Sequence, residues 1–157
     1  MLQKWPLYAV IFLKLLHFVK ENPMFADLHI HMLLSGSDWK AAIAGHQPHP
    51  DDILIKERLS SYQSAGISYL RDGGDRFGVC LRAKELAPEY GITYRTPAFP
   101  IYKKGHYGSF IGRGWSDFAE YRALLAEAQA SGADFIKLMI SGLMDFDRFE
   151  VLTEPGE

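Results

Sequence analysis

Hydrophobic and polar positions change period repeatedly along this chain, short apolar runs alternating with helical spacing. The first run is Met24-Phe25-Ala26-Asp27-Leu28-His29-Ile30-His31, of strand character until two histidines close it. Residues 67–71, 92–96 and 133–139, rich in Ile, Tyr, Thr, Phe and Leu, predict three further strands. Between them the spacing becomes helical. Ile55, Leu59 and Tyr62 mark one face, Val79, Ala83 and Leu86 a second, and Phe118, Tyr121, Leu125 and Ala128 a third. Pro50-Asp51-Asp52 reads as a helix start with acids at the positive end of the dipole. Asp117 and Glu120 have capping-box spacing, with Asp in place of Ser or Thr.

This alternation predicts the α/β class, a parallel sheet covered by helices. The connections are unequal. Those after helices are tight turns at Gly66, Gly91 and Gly132, and those after strands are long and polar. In parallel α/β folds, ligands sit where strand C-termini meet such loops. Residues 100–114 read as a long loop rich in Gly, Tyr, Lys and His, and residues 141–157 as an irregular tail.

Composition narrows the picture. With 157 residues, 48% hydrophobic, 23% charged and a net charge of -2, the chain suits one soluble domain and gives no support for a nucleic-acid partner. A single cysteine, Cys80, excludes an intrachain disulfide, fits a reducing, cytoplasmic compartment, and reads as a small buried residue. Residues 7–19 are apolar except for Lys14 and His17, a run shorter than the ~20 residues of a membrane span. No small-x-small cleavage site follows before Lys20-Glu21-Asn22-Pro23. Residues 1–23 are therefore expected to be an extension, either packed on the domain or lying upstream of a start at Met24.

The candidate chemistry gathers at strand ends. Strict alternation would place Asp27, His29 and His31 on one face and Leu28 and Ile30 on the other. Two imidazoles there form half a metal site, or alternatively a hydrogen-bonded pair at a sheet edge. Lys137, near the end of the fourth strand, is costly to bury charged. It is read as an ion-pair partner, for instance of Asp27 or Asp72, as an amine reaching the loop surface, or as an amine that reacts with carbon dioxide to give a carbamate able to bridge two metal ions. Tyr102, Lys103, His106 and Tyr107 are candidates for substrate contact. Arg71 and Asp72 read first as an ion pair and second as support for the site. His46 and His49, set among prolines, are expected to face solvent.

Three segments, in order, resemble the amidohydrolase superfamily: Ala26-Asp27-Leu28-His29-Ile30-His31, the Gly66–Gly74 stretch ending in Arg71-Asp72-Gly73-Gly74, and the Gly132–Gly142 stretch around Lys137. The flavour is that of metal-dependent dipeptidases and imidazolonepropionase-like enzymes, and the resemblance covers about residues 24–143. It implies a (β/α)8 barrel, of which residues 24–157 would form the first four βα units. It implies that His29 and His31 bind one divalent ion, zinc before iron or manganese, and that Lys137 as carbamate bridges to a second. The reaction implied is hydrolysis of an amide bond in a small molecule by a metal-held hydroxide. The family's later histidines and its aspartate base have no counterpart here. A whole barrel takes about 250 residues, so the chain is expected to be incomplete for catalysis and to be oligomeric or to lack a C-terminal half. Two other readings stand beside this one. Asp27-Leu28-His29 followed by Ser35-Gly36-Ser37-Asp38 also resembles the start of a PHP-type phosphoesterase, against which the Lys137 and Arg71-Asp72-Gly73-Gly74 segments argue. The third is a non-catalytic fragment or half-barrel that pairs with itself through open sheet edges.

Overall fold

Aspartates open the helices in the computed structural model, which describes residues 25–36, 38–144, 148 and 152–154. Asp38 accepts the backbone N–H groups of Lys40 and Ala41 at the start of α1 (Trp39–Ala44). Asp51 does the same for Ile53 and Leu54 in α2 (Asp52–Ser64). The buried Asp75 carboxylate takes the N–H groups of Phe77, Val79 and Cys80 as α3 (Val79–Leu86) leaves Gly78. Asp117 caps α4 (Phe118–Ala130), and Glu120 reaches back to the Ser116 N–H at 2.7 Å, one residue before the capping-box partner. Each cap satisfies donors that the helix itself leaves open, a contribution of about 1 kcal/mol.

The strands form two small parallel sheets. In the first, β1 (Phe25–Ile30), β2 (Ile67–Asp72) and β3 (Thr93–Arg95) lie in the order β1-β2-β3. In the second, β4 (Ile101–Lys103), β5 (Arg113–Trp115) and β6 (Leu138–Met139) lie in the order β5-β4-β6. The α/β class with parallel strands, expected from the alternation, is what the chain adopts. Residues 96–100 join the two sheets, turning through Ala98 at φ 64. The Thr96 carbonyl accepts the Asp134 N–H at 2.8 Å and the Lys137 carbonyl accepts the Ile101 N–H at 2.9 Å, so the segment entering β6 runs beside this connection.

Several elements depart from the expectation. β4 and β5 occupy the ends of what read as a loop. Gly108, Gly112 and Gly114 make this possible, since a Cβ at any of them would come within 3.0 Å of the Tyr102 side chain. The strand expected over residues 133–139 shrinks to Leu138–Met139, because Asp134 is engaged instead by the Thr96 N–H, Lys84 and Arg95. The six-residue α1 was not foreseen. In the tail, β7 (Leu143–Met144) pairs antiparallel with β8 (Leu152–Glu154).

The main core lies between the first sheet and helices α2 and α3. Ile30 and Leu70 pack there with Ile55, Leu59, Val79, Ala83 and Leu86. A smaller core joins Phe99 and Ile101 to Ala128 on α4. The outer strands are less covered: Leu28 is 60% exposed and Leu138 47%. No helix among the described residues is long and apolar enough to cross a membrane. The proposed extension, residues 1–23, lies outside the described residues.

Candidate metal centre

β1 delivers its histidines through an irregularity. Asp27 pairs with Leu70 but Ile30 pairs with Asp72, so β1 carries one residue more than β2 over this stretch. Such a bulge re-aims side chains and breaks alternation. The expectation that Asp27, His29 and His31 share a face by strict alternation is therefore corrected. Asp27 turns its carboxylate to the His29 backbone N–H, at 3.1 Å, instead of joining the imidazoles.

His29 and His31 stand side by side, ring centroids 5.6 Å apart. The His29 Nε2 lies 3.2 Å from the Lys137 Nζ, 108 residues further along the chain. His31 Nδ1 is 3.1 Å from the Gly74 carbonyl oxygen. A carbonyl accepts only, so Nδ1 carries the proton and Nε2 keeps its lone pair. A backbone carbonyl in this role fixes the tautomer and orientation of a metal-binding histidine. The structure thus brings together His29, His31 and Lys137. Among the described residues no three His, Cys, Asp or Glu side chains converge. The donor set is two imidazoles and an amine.

Gly73 is the floor of this cluster. A Cβ there would lie 2.4 Å from His31 Cε1, 2.5 Å from His31 Nε2 and 2.8 Å from Lys137 Nζ. Two potential ligand nitrogens therefore converge on the space that the missing side chain leaves. An open cleft of about 320 Å³ lies over it, lined by His29, Arg71, Asp72, Gly73, Ile136, Lys137 and Leu138. On chemistry the cluster fits a divalent ion of borderline softness, nitrogen ligands being in place and an oxygen ligand available if Lys137 becomes a carbamate.

Electrostatics keep the three nitrogens unprotonated more than is usual. Burial, then the charge of Lys137, pushes His31 down to about 4 from an ordinary 6.5. His29 is lowered chiefly by Lys137, with burial and Arg71 adding and Asp27 opposing. Burial lowers the Lys137 ammonium, Asp72 opposes this, and Arg71 adds to it. A depressed folded-state value means that His31 favours the fold above its unfolded value and loses that contribution as pH falls from 6.5 towards 4. In an NMR titration of the metal-free protein, the His31 ring is expected to show a midpoint at about 4. A midpoint near 6.5 would contradict the burial seen here.

The neighbours differ from their expected roles. Arg71 and Asp72 do not form an ion pair. The Arg71 guanidinium sits 4.0 Å from the Phe135 ring centroid. The Asp72 carboxylate is buried and accepts hydrogen bonds from the Met32 and Gly74 N–H groups and the Tyr94 hydroxyl. Among the described residues Lys137 has no carboxylate within ion-pair distance, so the structural alternative of a salt bridge to Asp27 or Asp72 is not adopted. His46 was expected to face solvent and is instead 1% exposed, its Nδ1 accepting the Asp51 N–H at 3.0 Å; His49 is exposed. Cys80 is buried, as expected, and donates to the Ala98 carbonyl.

Tyr102, His106 and Tyr107 do not line this cleft. Tyr102 lies in β4, packed over glycines 108, 112 and 114. His106 follows the turn at Lys103, and the ring of Tyr107 pairs with Phe110 at 5.6 Å. Sequence reasoning gave Gly73 and Gly74 no role at the site and put the ion pair with Arg71 ahead of support for the site in reading Asp72, which is wholly buried. Their signal was the Asp72-Gly73-Gly74 run directly after a strand, where glycine marks a close approach. No protein-family model, curated protein or solved structure matches the chain.

Proposed function

We propose that this chain carries the metal-holding part of an amidohydrolase-type enzyme, a hydrolase of amide bonds in small molecules. β1, β2, the β3–β4 segment and β6 would be the first four strands of a (β/α)8 barrel, with the cleft at its C-terminal mouth. His31, through Nε2, and His29 would hold a divalent ion, zinc by preference. Lys137 as carbamate would supply the oxygen ligand and bridge to a second ion. Bound there, a divalent ion would provide a hydroxide nucleophile and polarise the amide carbonyl. The general base is not assigned to any residue of this chain.

One observation carries the reading: an amine and an imidazole 108 residues apart meet at 3.2 Å, His29 near the end of β1 and Lys137 directly before β6. Support comes also from the lowered proton affinity of Lys137, since only a neutral amine attacks carbon dioxide. When the amine nitrogen bonds to the carbon of carbon dioxide, it releases one proton, which leaves to solvent through the open cleft. The test is carbon-13 NMR of the protein in labelled bicarbonate with zinc. A carbamate signal is expected in the wild type and not in Lys137→Arg; its absence from the wild type would remove the bridging role. Assays on dipeptides and on phosphate esters separate the two enzyme classes, and turnover of phosphate esters alone would move the assignment to a PHP-type phosphoesterase.

A further inference from the structure

Residues 45–51 connect α1 to α2 and close around one histidine. At the start of this connection, a Cβ on Gly45 would lie 3.2 Å from Leu54 Cδ1, so the end of α1 rests on α2. Near its other end, Pro50 Cγ is 4.0 Å from the Cβ position of Gly78, the residue that leads into α3. His46 lies inside, 1% exposed. Its backbone N–H donates to the Ile43 carbonyl at 3.1 Å, in the last turn of α1. Its ring Nδ1 accepts the N–H of Asp51, the cap of α2, at 3.0 Å. A ring nitrogen that accepts an N–H carries no proton, so the neutral ring has its hydrogen on Nε2. Nε2 is buried and has no hydrogen-bond partner among the described residues.

We propose that His46 is an acid-released latch, which holds the α1–α2 connection shut while its ring is neutral and opens it when the ring takes up a proton. The closed form has no place for that proton. It would have to bind Nδ1, whose lone pair already takes the Asp51 N–H, and two hydrogens would then face each other across 3.0 Å. The Asp51 N–H would lose its acceptor, and both ring N–H groups would stand without one. The charged groups that act on the ring come from the helices around it. Asp51 at the cap of α2 and Asp75 ahead of α3 favour the cation, and Arg58 on α2 opposes it. Both carboxylates are already engaged: Asp51 Oδ1 accepts from Ile53 and Leu54, and the two oxygens of Asp75 accept from Phe77, Val79 and Cys80. The Arg58 guanidinium is tied to the Met32 carbonyl, which keeps its charge in place. Burial is the largest influence, and it holds the ring below its ordinary value of 6.5. Once the connection opens, the ring meets water and the ordinary value returns. A group depressed in the closed form favours that form above 6.5 and loses the contribution as pH falls below it. The latch does not involve His29, His31 or Lys137, so this inference stands apart from the metal reading.

The test is amide hydrogen exchange of the full chain at pH 7.5 and 5.5, read by NMR at the Asp51 N–H as a protection factor, which divides out the intrinsic pH dependence of exchange. The variant His46→Asn is measured beside it. Its side-chain oxygen can accept the Asp51 N–H as Nδ1 does, and it does not titrate. In the wild type, protection at Asp51 is expected to fall about tenfold between the two pH values, the factor by which protonation at an ordinary 6.5 favours the open form. The fall should be smaller at the amides of α4 and absent from His46→Asn. Constant protection at Asp51 in the wild type would overturn the latch. So would an equal fall in His46→Asn, or an equal fall throughout the chain, which is global unfolding. Where His46→Asn does not fold, nitrogen-15 NMR of the wild-type ring decides. Nδ1 is expected to be unprotonated at pH 6 while Asp51 is protected; a ring half-protonated near 6.5 with that protection intact would overturn the proposal.

Discussion

Replacing Gly73 by alanine is expected to lower zinc affinity by about 10- to 100-fold while leaving the protein folded. The added methyl would meet His31 at 2.4 and 2.5 Å and Lys137 at 2.8 Å, contacts with side-chain ends that can swing away. Movement of those ends is loss of the site. The folding cost stays near the 1–3 kcal/mol of ordinary overpacking, because the obstructed atoms are flexible. Gly74→Ala is the informative contrast. That residue has φ +82, and its Cβ would meet Pro97 at 2.8 Å and the backbone of Phe99 at 3.0 Å. It should destabilise the fold more than Gly73→Ala does. Zinc titration and thermal unfolding of the two variants check this; equal zinc affinity in Gly73→Ala and wild type would refute the convergence of ligands over Gly73.

Removing the Asp72 carboxylate should have the largest effect on stability. Asp72→Ala leaves the buried Met32 N–H, Gly74 N–H and Tyr94 hydroxyl without their acceptor. A loss of about 3–5 kcal/mol is expected, the range for breaking a buried polar network. The same carboxylate ties the end of β1 to the ends of β2 and β3, so the variant should also loosen His31. Its pH signature follows from burial, which raises Asp72 to about 6 against the hydrogen bonds that favour the anion. An acid whose folded-state value exceeds its unfolded value of 3.8 binds more protons when folded. Its contribution therefore declines as pH rises from about 4 to 6 and is constant above that. His31 acts in the opposite sense over the same window, so the two offset each other. Asp72→Asn removes only the first. Relative to wild type, that variant should gain stability as pH rises from 4 to 6, as read by urea unfolding at several pH values. A constant difference would contradict the buried, titrating carboxylate.

Local periodicity made the three longer helices and the first sheet legible, and contact between distant segments decided much of what it missed. The spacings Ile55-Leu59-Tyr62 and Val79-Ala83-Leu86 located α2 and α3, and Asp51 and Asp117 marked the starts of α2 and α4, because these signals are local. β4 and β5 were hidden, since three-residue strands carry no period and their pairing depends on three glycines making room for Tyr102. β6 was overextended, because Asp134 is drawn to Thr96, Lys84 and Arg95, none of them near it in sequence. At the site, the Asp-x-His-x-His pattern and Lys137 pointed to residues that the fold places in contact. The bulge that diverts Asp27 could not be read, because register is a property of two strands. His46 misled for a related reason: a histidine among prolines reads as a surface loop until Asp51 is known to donate to its ring.

Two imidazoles and one amine would grip the cation in the proposed site, and metal content tests this directly. Wild-type protein and the His29→Ala, His31→Ala double variant are loaded with zinc, passed through gel filtration and analysed by mass spectrometry for bound metal. Zinc is expected to remain with the wild type and to be lost from the double variant, with both chains folded. Equal zinc in the two would contradict the assignment of His29 and His31 as ligands.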